Sequence, residues 1–220
     1  MRLKSIARKS SKGLDVLRFN RLRNSLDRLE FIMSSEVKST IVDDAEVNEL
    51  RELAGLPESA VTMVAGEIRP ADASTGFFAL FEYPFKVGFR WPYSPLARAF
   101  MTRFNLSPGQ LMPQFWRVVF VIERVTKNWG HPPFSVDDLL SSYSVNRSSY
   151  NRYGLFPKGR SDTMLVHGTQ VNDRGWKARY IFVQTSSVVG AEAWVVPEWN
   201  PNGKKNSFAI VVFNLSVLLC

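Results

Sequence analysis

The chain has very little of the chemistry that metal sites and disulfides require. Its 220 residues include one cysteine, Cys220, and two histidines, His131 and His167. A single cysteine can form neither an intramolecular disulfide nor a cysteine-based zinc site. Two distant histidines without a cluster of carboxylates do not form a metal-binding pattern either. We therefore expect no metal and no cofactor, and the cysteine usage fits a reducing compartment.

The motifs of several enzyme classes are also missing. The sequence contains no G-x-x-x-x-G-K-[ST] or G-x-G-x-x-G motif for nucleotides, and no Asp-Thr/Ser-Gly turn of an aspartic protease. Asp137 and Asp138 are adjacent acids, but Ser135 precedes Asp138 by three residues, which predicts the start of a helix. Ser161, Asp162 and His167 fall on one predicted strand, where neighbours do not converge as a hydrolytic set requires. The sequence assigns no catalytic residue and favours a protein that is not an enzyme.

No apolar run is long enough to cross a membrane. The longest, Phe208–Cys220, covers 13 residues, whereas a spanning helix needs about 20. We expect no stable membrane insertion. Three interpretations of this apolar tail, residues 201–220, stay open: a last strand, translated non-coding sequence after the domain, or the remnant of a membrane tail.

The composition is that of a folded protein with an uneven distribution of charge. Hydrophobic residues make up 45% and charged residues 22%, which is enough to bury a core in one domain with appendages or in two small domains. The formal net charge is +8, with about +6 in residues 1–30, −6 in residues 31–75 and +8 in residues 76–220. A basic excess favours polyanionic partners such as nucleic acid, although it also serves solubility.

Residues 1–33 form a basic arm with three open interpretations. Leu22, Leu26 and Leu29 recur at i, i+4 and i+7, so 14–31 is predicted as an amphipathic helix with its arginines off the apolar face. The arm is either a helix that lies beside the body, a nucleic-acid or nuclear-import segment, or an organellar transit peptide. No apolar stretch typical of a secretory signal follows. We expect an intracellular protein, nuclear or cytoplasmic, and targeting to an organelle stays open.

Residues 34–75 are predicted to be an acidic linker with a short helix. Val47, Leu50 and Leu53 have helical spacing, and Gly55 with Pro57 predicts the end of that helix. We expect the main domain to begin near residue 76 and to fold without residues 1–33.

The centre of the chain is predicted to be a helical layer over about residues 95–142. Ser94 and Pro95 predict a helix start, and the apolar spacing that follows predicts a helix ending near Asn105. A second helix is expected to run to Gly130, and a third, shorter one to follow Ser135. The helical faces place four aromatic side chains in the core: Phe100, Phe104, Trp116 and Phe120.

Basic and aromatic side chains outside this periodicity are the candidate binding residues. Lys86, Arg90, Arg98 and Arg103 are interleaved with aromatics, as in nucleic-acid-binding surfaces. Trp91 and Tyr93 flank Pro92 in a loop beside Arg90, and are predicted to form a recognition loop, because interfaces favour aromatic and arginine side chains.

The last part of the domain is predicted to be an antiparallel sheet over about residues 162–199. Three short β-branched and aromatic segments, 162–168, 176–185 and 191–199, are each bounded by turn-forming residues. In the second, Tyr180 and Phe182 are expected on one face, and Arg179, Ile181 and Val183 on the other. The fold class is therefore predicted as α+β, with a helical layer followed by a small antiparallel sheet.

The segment 77–200 resembles the gypsy-type transposon domain of plant retrotransposon-derived proteins, which occurs in open reading frames described as gag-like or as transposases. The similarity lies in "FKVGFRWP", "LSPGQLMPQFW" and "GWKARYIFV" before a late tryptophan. The family has no established catalytic residues, so none is transferred to this chain. The resemblance implies a transposable-element protein, and we expect a non-catalytic module that binds nucleic acid or self-associates. The alternative is a fragment of a transposition enzyme whose catalytic residues are missing or supplied elsewhere.

Overall fold

The computed structural model describes residues 38–148, 151–158, 165–166, 175–188 and 194–200. The basic arm 1–33, the apolar tail 201–220 and most of the predicted strand 162–168 lie outside these ranges, so the predictions made for them stay predictions. Within the described ranges there are helices α1 (Asp44–Ala54), α2 (Tyr83–Val87), α3 (Pro95–Phe104), α4 (Pro113–Asn128) and α5 (Val136–Ser142). The strands are β1 (Thr62–Val64), β2 (Phe77–Phe81), β3 (Tyr143–Arg147), β4 (Tyr153–Pro157) and β5 (Tyr180–Gln184).

The strands form two small antiparallel sheets, which confirms the α+β class. One sheet has the order β1-β5-β2, with Phe81 opposite Tyr180 and Val64 opposite Ile181. The other pairs β3 with β4 as a hairpin. The predicted segment 176–185 does contain a strand, but its neighbours come from residues 62–81 and not from 162–168 or 191–199. Residues 194–200 contain no strand. The predicted order of helices first and strands afterwards is therefore only partly correct, because β1 and β2 precede the central helices.

The central strand β5 separates two apolar clusters. Ile181 and Val183 face the main core, whereas Tyr180 and Phe182 face a smaller cluster with Phe81 on the opposite side of the sheet. The alternation predicted for this strand is confirmed, since successive side chains of a strand point to opposite faces. The main core therefore lies between this sheet and the helices.

The helix boundaries follow the local sequence signals. Gly55 ends α1 in the left-handed region, with φ of 68°, and Asn105 ends α3 in the same way. Ser135 and Asp138 form the predicted capping box at the start of α5, with Asp138 N donating to Ser135 Oγ over 3.1 Å. The predicted core aromatics Phe100, Phe104 and Trp116 are buried, and Phe120 is partly buried against them.

The segment predicted as a linker contributes to the same core. Val47 and Leu50 of α1 are buried in it, together with Ile41 and Ala60. Arg179 joins this segment to the rest of the fold, because its guanidinium lies 3.0 Å from both Glu46 of α1 and Glu82 at the end of β2. Residues 38–64 are therefore an integral part of the fold, which differs from the linker that the acidic composition predicted.

Candidate functional site

The predicted nucleic-acid-binding residues do not form one open basic surface. Lys86 Nζ lies 2.6 Å from Glu82 Oε2, and Arg103 Nη1 lies 2.6 Å from Asp137 Oδ1. Arg98 is partly buried in α3, whereas Arg90 is exposed and donates from Nη1 to the carbonyl oxygen of Phe89. Two of the four cations are thus already neutralised by carboxylates. Their role in binding nucleic acid stays a prediction.

The predicted recognition loop is largely core. Tyr93 is 1% exposed, with its ring centroid 5.6 Å from that of Phe85 and 5.0 Å from that of Trp116. Burial raises the pKa of its phenol well above the ordinary value, so the side chain stays neutral. The prediction of Tyr93 at the surface is wrong, because its ring packs against Phe85 and Trp116 inside the core.

Trp91 is partly buried in the same aromatic group. Its ring stacks on Phe78 with centroids 5.7 Å apart, and its Nε1 donates to the carbonyl oxygen of Val188 over 3.3 Å. Trp194 lies on it with a centroid distance of 6.0 Å. The loop therefore contacts both β2 and the segment 194–200, and these contacts cover part of the Trp91 side chain.

The "LSPGQLMPQFW" segment is a structural junction. Pro108–Gln110 forms a 3₁₀ turn, and the buried Gln110 donates from Nε2 to the carbonyl oxygens of Asn151 and Asn200 over 3.0 and 2.8 Å. Its Oε1 accepts from the backbone N–H of Ser107 and of Asn200. One amide side chain thus forms hydrogen bonds to three separate parts of the chain. The sequence alone does not indicate this role.

Arg152, which directly precedes β4, is also part of this junction. Its side chain is 2% exposed, donates from Nη1 to the carbonyl oxygen of Gly109 over 2.5 Å, and lies over three aromatic rings. Its guanidinium carbon is 5.1 Å from the ring centroid of Phe81, 4.7 Å from Trp176 and 5.4 Å from Trp199. An arginine suits this environment because its planar, weakly hydrated cation stacks on aromatic faces. Sequence reasoning missed Arg152 because the rings around it come from distant segments.

An apolar groove beside the second half of α4 is the strongest candidate for a binding site. It has a volume of about 480 Å³, within the range of ligand-binding clefts. Its lining includes four exposed apolar side chains, Val121, Val125, Trp129 and Leu165, with exposed fractions of 36%, 38%, 73% and 45%. The other described residues that line it are Ile122, Thr126, His131, Pro132, Pro133, Phe134, Asp138 and Val166.

Among the described residues that line the groove, one side chain carries a formal charge at pH 7, a carboxylate. Asp138 accepts hydrogen bonds from the hydroxyl and the backbone N–H of Ser135, at 2.6 and 2.9 Å, and these bonds lower the pKa of its carboxyl. Arg124 and Lys127 of α4 are exposed but do not line the groove. The described lining of the groove is therefore mainly apolar and includes one negative charge.

The groove was not foreseen from the sequence, although a signal for it exists. Val121, Val125 and Trp129 recur at i, i+4 and i+8, a spacing that places them along one side of α4. The core face of the same helix carries Phe115, Trp116, Val119 and Ile122. Two apolar stripes on one helix indicate a second contact surface, since one stripe is enough to pack a helix on its core.

Within the described ranges, no three His, Cys, Asp or Glu side chains lie close enough to hold a metal ion. None of the helices in the described part of the chain combines the length and apolarity needed to span a membrane. Comparisons of the chain with protein-family models, with curated proteins and with solved structures gave no match.

Proposed function

We propose that the chain is a non-catalytic assembly module, derived from a gypsy-type retrotransposon, that associates with copies of itself through the apolar groove. The observation that carries this proposal is the exposure of Trp129, Val121, Val125 and Leu165 around one cavity. Soluble monomers seldom leave several large apolar side chains contiguous at the surface, and such patches mark protein contacts. Tryptophan in particular is enriched among the residues that dominate interface energies.

The proposal is tested by the concentration dependence of the mass of the full-length chain. Sedimentation of the wild type at increasing concentration should show association, and Trp129→Ser should weaken it by at least about tenfold, the loss typical of one important interface residue. Val42→Ser is the matched control, since Val42 is 72% exposed and does not line the groove. A wild type that stays monomeric over the whole range, or equal effects of the two substitutions, contradicts the proposal.

A second candidate is contact with nucleic acid, favoured by the net charge of +8 and by Arg90. Arg90 is exposed, and in the described part of the chain no carboxylate lies within ion-pair distance of it. If Arg90 contacts a phosphate, Arg90→Gln should reduce the slope of log affinity against log salt by about 1, because each phosphate contact releases close to one counterion. Absence of binding to DNA and RNA at low salt removes this candidate and leaves self-association untouched.

A further inference from the structure

The groove on α4 has a length and a charge that match one segment of the chain itself. Its lining residues Val121, Val125 and Trp129, from the end of α4 and the residue that caps it, extend over about 12 Å at the helical rise of 1.5 Å per residue. In the basic arm, Leu22, Leu26 and Leu29 extend over about 10 Å in the helical conformation that their spacing predicts. An amphipathic helix of this kind binds an apolar groove through side chains at i, i+4 and i+7.

The charges of the two elements are complementary. Among the described residues that line the groove, the charged side chain is Asp138, whose carboxyl pKa is lowered by its hydrogen bonds to Ser135. The neighbouring Asp137 is already paired with Arg103. Arg18, Arg21 and Arg28 flank the leucine stripe of the arm, and residues 1–30 carry a net charge of about +6. Unlike charges at the rim of an apolar contact fix its orientation and speed its formation.

We propose that residues 14–31 of one copy occupy the α4 groove of another copy. This inference rests on the self-association proposed above and names the segment that produces it. Each copy then carries both an arm to donate and a groove to fill. Such a contact is heterologous, so it either closes into a small ring or continues into an open chain of copies.

The heterologous arrangement allows a complementation test on the full-length protein. Trp129→Ser impairs the groove and leaves the arm intact, whereas the double substitution Leu22→Ser and Leu26→Ser impairs the arm and leaves the groove intact. We expect each variant alone to be monomeric at concentrations where the wild type associates. When mixed in equal amounts they should form a 1:1 complex that does not grow further, because only one intact arm and one intact groove meet. Mass photometry or light scattering after gel filtration measures these masses.

The other outcomes each contradict the inference in a distinguishable way. Self-association that survives the arm substitutions but not Trp129→Ser means that grooves contact each other, so the proposed function stands and the arm assignment is wrong. A wild type that is monomeric at every concentration removes both proposals. Variants that are monomeric alone and also when mixed show that arm and groove do not join separate copies. Unchanged far-UV circular dichroism and thermal unfolding of each variant are the controls for folding.

The contribution of the Asp138 charge to the affinity between copies can be measured separately. Asp138→Asn retains an acceptor for the backbone N–H of Ser135 and removes the carboxylate from the groove. The affinity between copies should fall several-fold at low salt, and the difference from the wild type should shrink as added salt screens the interaction. A salt-independent effect, or none, contradicts the role of Asp138 at this contact.

Discussion

The guanidinium carbon of Arg152 lies 4.7 Å from the ring centroid of Trp176, although Arg152 directly precedes β4 and Trp176 precedes β5. Arg152→Lys keeps the charge but removes the planar group that stacks on three rings. We expect the free energy of unfolding to fall by about 2 kcal/mol, the order of a desolvated cation–π contact. Arg147→Lys on the exposed end of β3 is the control, and should stay within about 0.5 kcal/mol. Urea denaturation compares the two, and equal stabilities would rule out a structural role for the stacked arginine.

Gly109, in the junction formed by Pro108–Gln110 and Arg152, allows a second test of packing. A Cβ added there would lie 2.6 Å from the ring of Phe81, closer than packed atoms approach. Gly109→Ala should therefore destabilise the fold by about 1–3 kcal/mol through overpacking. In a Phe81→Leu background the same substitution should cost less, because the smaller side chain gives way. A double-mutant cycle measures this coupling, and strictly additive costs would show that Phe81 is not the group that excludes the methyl.

Trp116, in the first turn of α4, and Trp129, directly after its last residue, have opposite exposures. Trp116 is 1% exposed in the core, whereas Trp129 is 73% exposed at the groove. Trp116→Ala should cost about 3–5 kcal/mol of stability, as for other buried aromatics. Trp129→Ala should change the stability of the monomer by less than about 0.5 kcal/mol. Chemical denaturation at low protein concentration separates the two, and a large cost at Trp129 would mean that it belongs to the core.

Glu123 gives the stability a pH dependence of known sign. Its Oε1 accepts from the backbone N–H of Leu96 over 3.3 Å at the start of α3, and burial raises the pKa of its carboxyl above the ordinary value. A raised pKa in the folded state means that the ionised form is disfavoured there, so stability is lost as pH rises from the unfolded pKa through the folded one. Glu123→Gln keeps an acceptor for Leu96 and removes the titration.

The measurement for Glu123 is thermal unfolding between pH 4 and pH 8. The midpoint of Glu123→Gln relative to the wild type should rise with pH and level off above the folded pKa. Glu123→Ala, which also loses the acceptor, separates the charge from the hydrogen bond. If the difference in unfolding midpoint between the wild type and Glu123→Gln stays constant with pH, the pKa of this carboxyl is not raised in the folded state.

The boundary of the fold is testable by truncation. Ile41, Val47 and Leu50 are buried in the same core as the helices after residue 76, and β1 pairs with β5. A fragment 38–200 should therefore unfold cooperatively, whereas 76–200 should not, because it exposes the core surface that α1 covers. Limited proteolysis of the two fragments should give the matching result, with 38–200 resistant to digestion and 76–200 degraded. A stable 76–200 fragment would restore the boundary that the sequence predicted.

Local signals in the sequence predicted local structure well. Pro95, Gly55 and the pair Ser135 and Asp138 mark helix ends correctly, because caps and turn residues act within a few positions of themselves. The face alternation of β5 was also predicted, since it depends only on the period of a strand. The class α+β followed from these elements.

Contacts between residues that lie far apart in the chain could not be predicted from the sequence alone. The partners of β5 come from residues 62–81, and register between remote strands leaves little trace in a single sequence. Tyr93 was placed at the surface because its loop lacks helical spacing, yet loop residues also fill cores. Arg103 was predicted to be available because Asp137, 34 positions away, reaches it only in the fold. The pair of Glu82 and Lys86 is different, because its i,i+4 spacing is a local signal that the sequence analysis missed.

The position of β5 between β1 and β2 has a consequence for synthesis of the protein. Phe81 and its partner Tyr180 are separated by 99 positions, so the first two strands leave the ribosome long before the strand that joins them. Until then each presents an unpaired edge, which is the form in which strands pair with other chains. A messenger RNA that ends before the codon for Tyr180 would encode all five described helices but no central strand. Such truncated chains should aggregate or be degraded. Only chains whose translation continues past Tyr180 can form the three-stranded sheet.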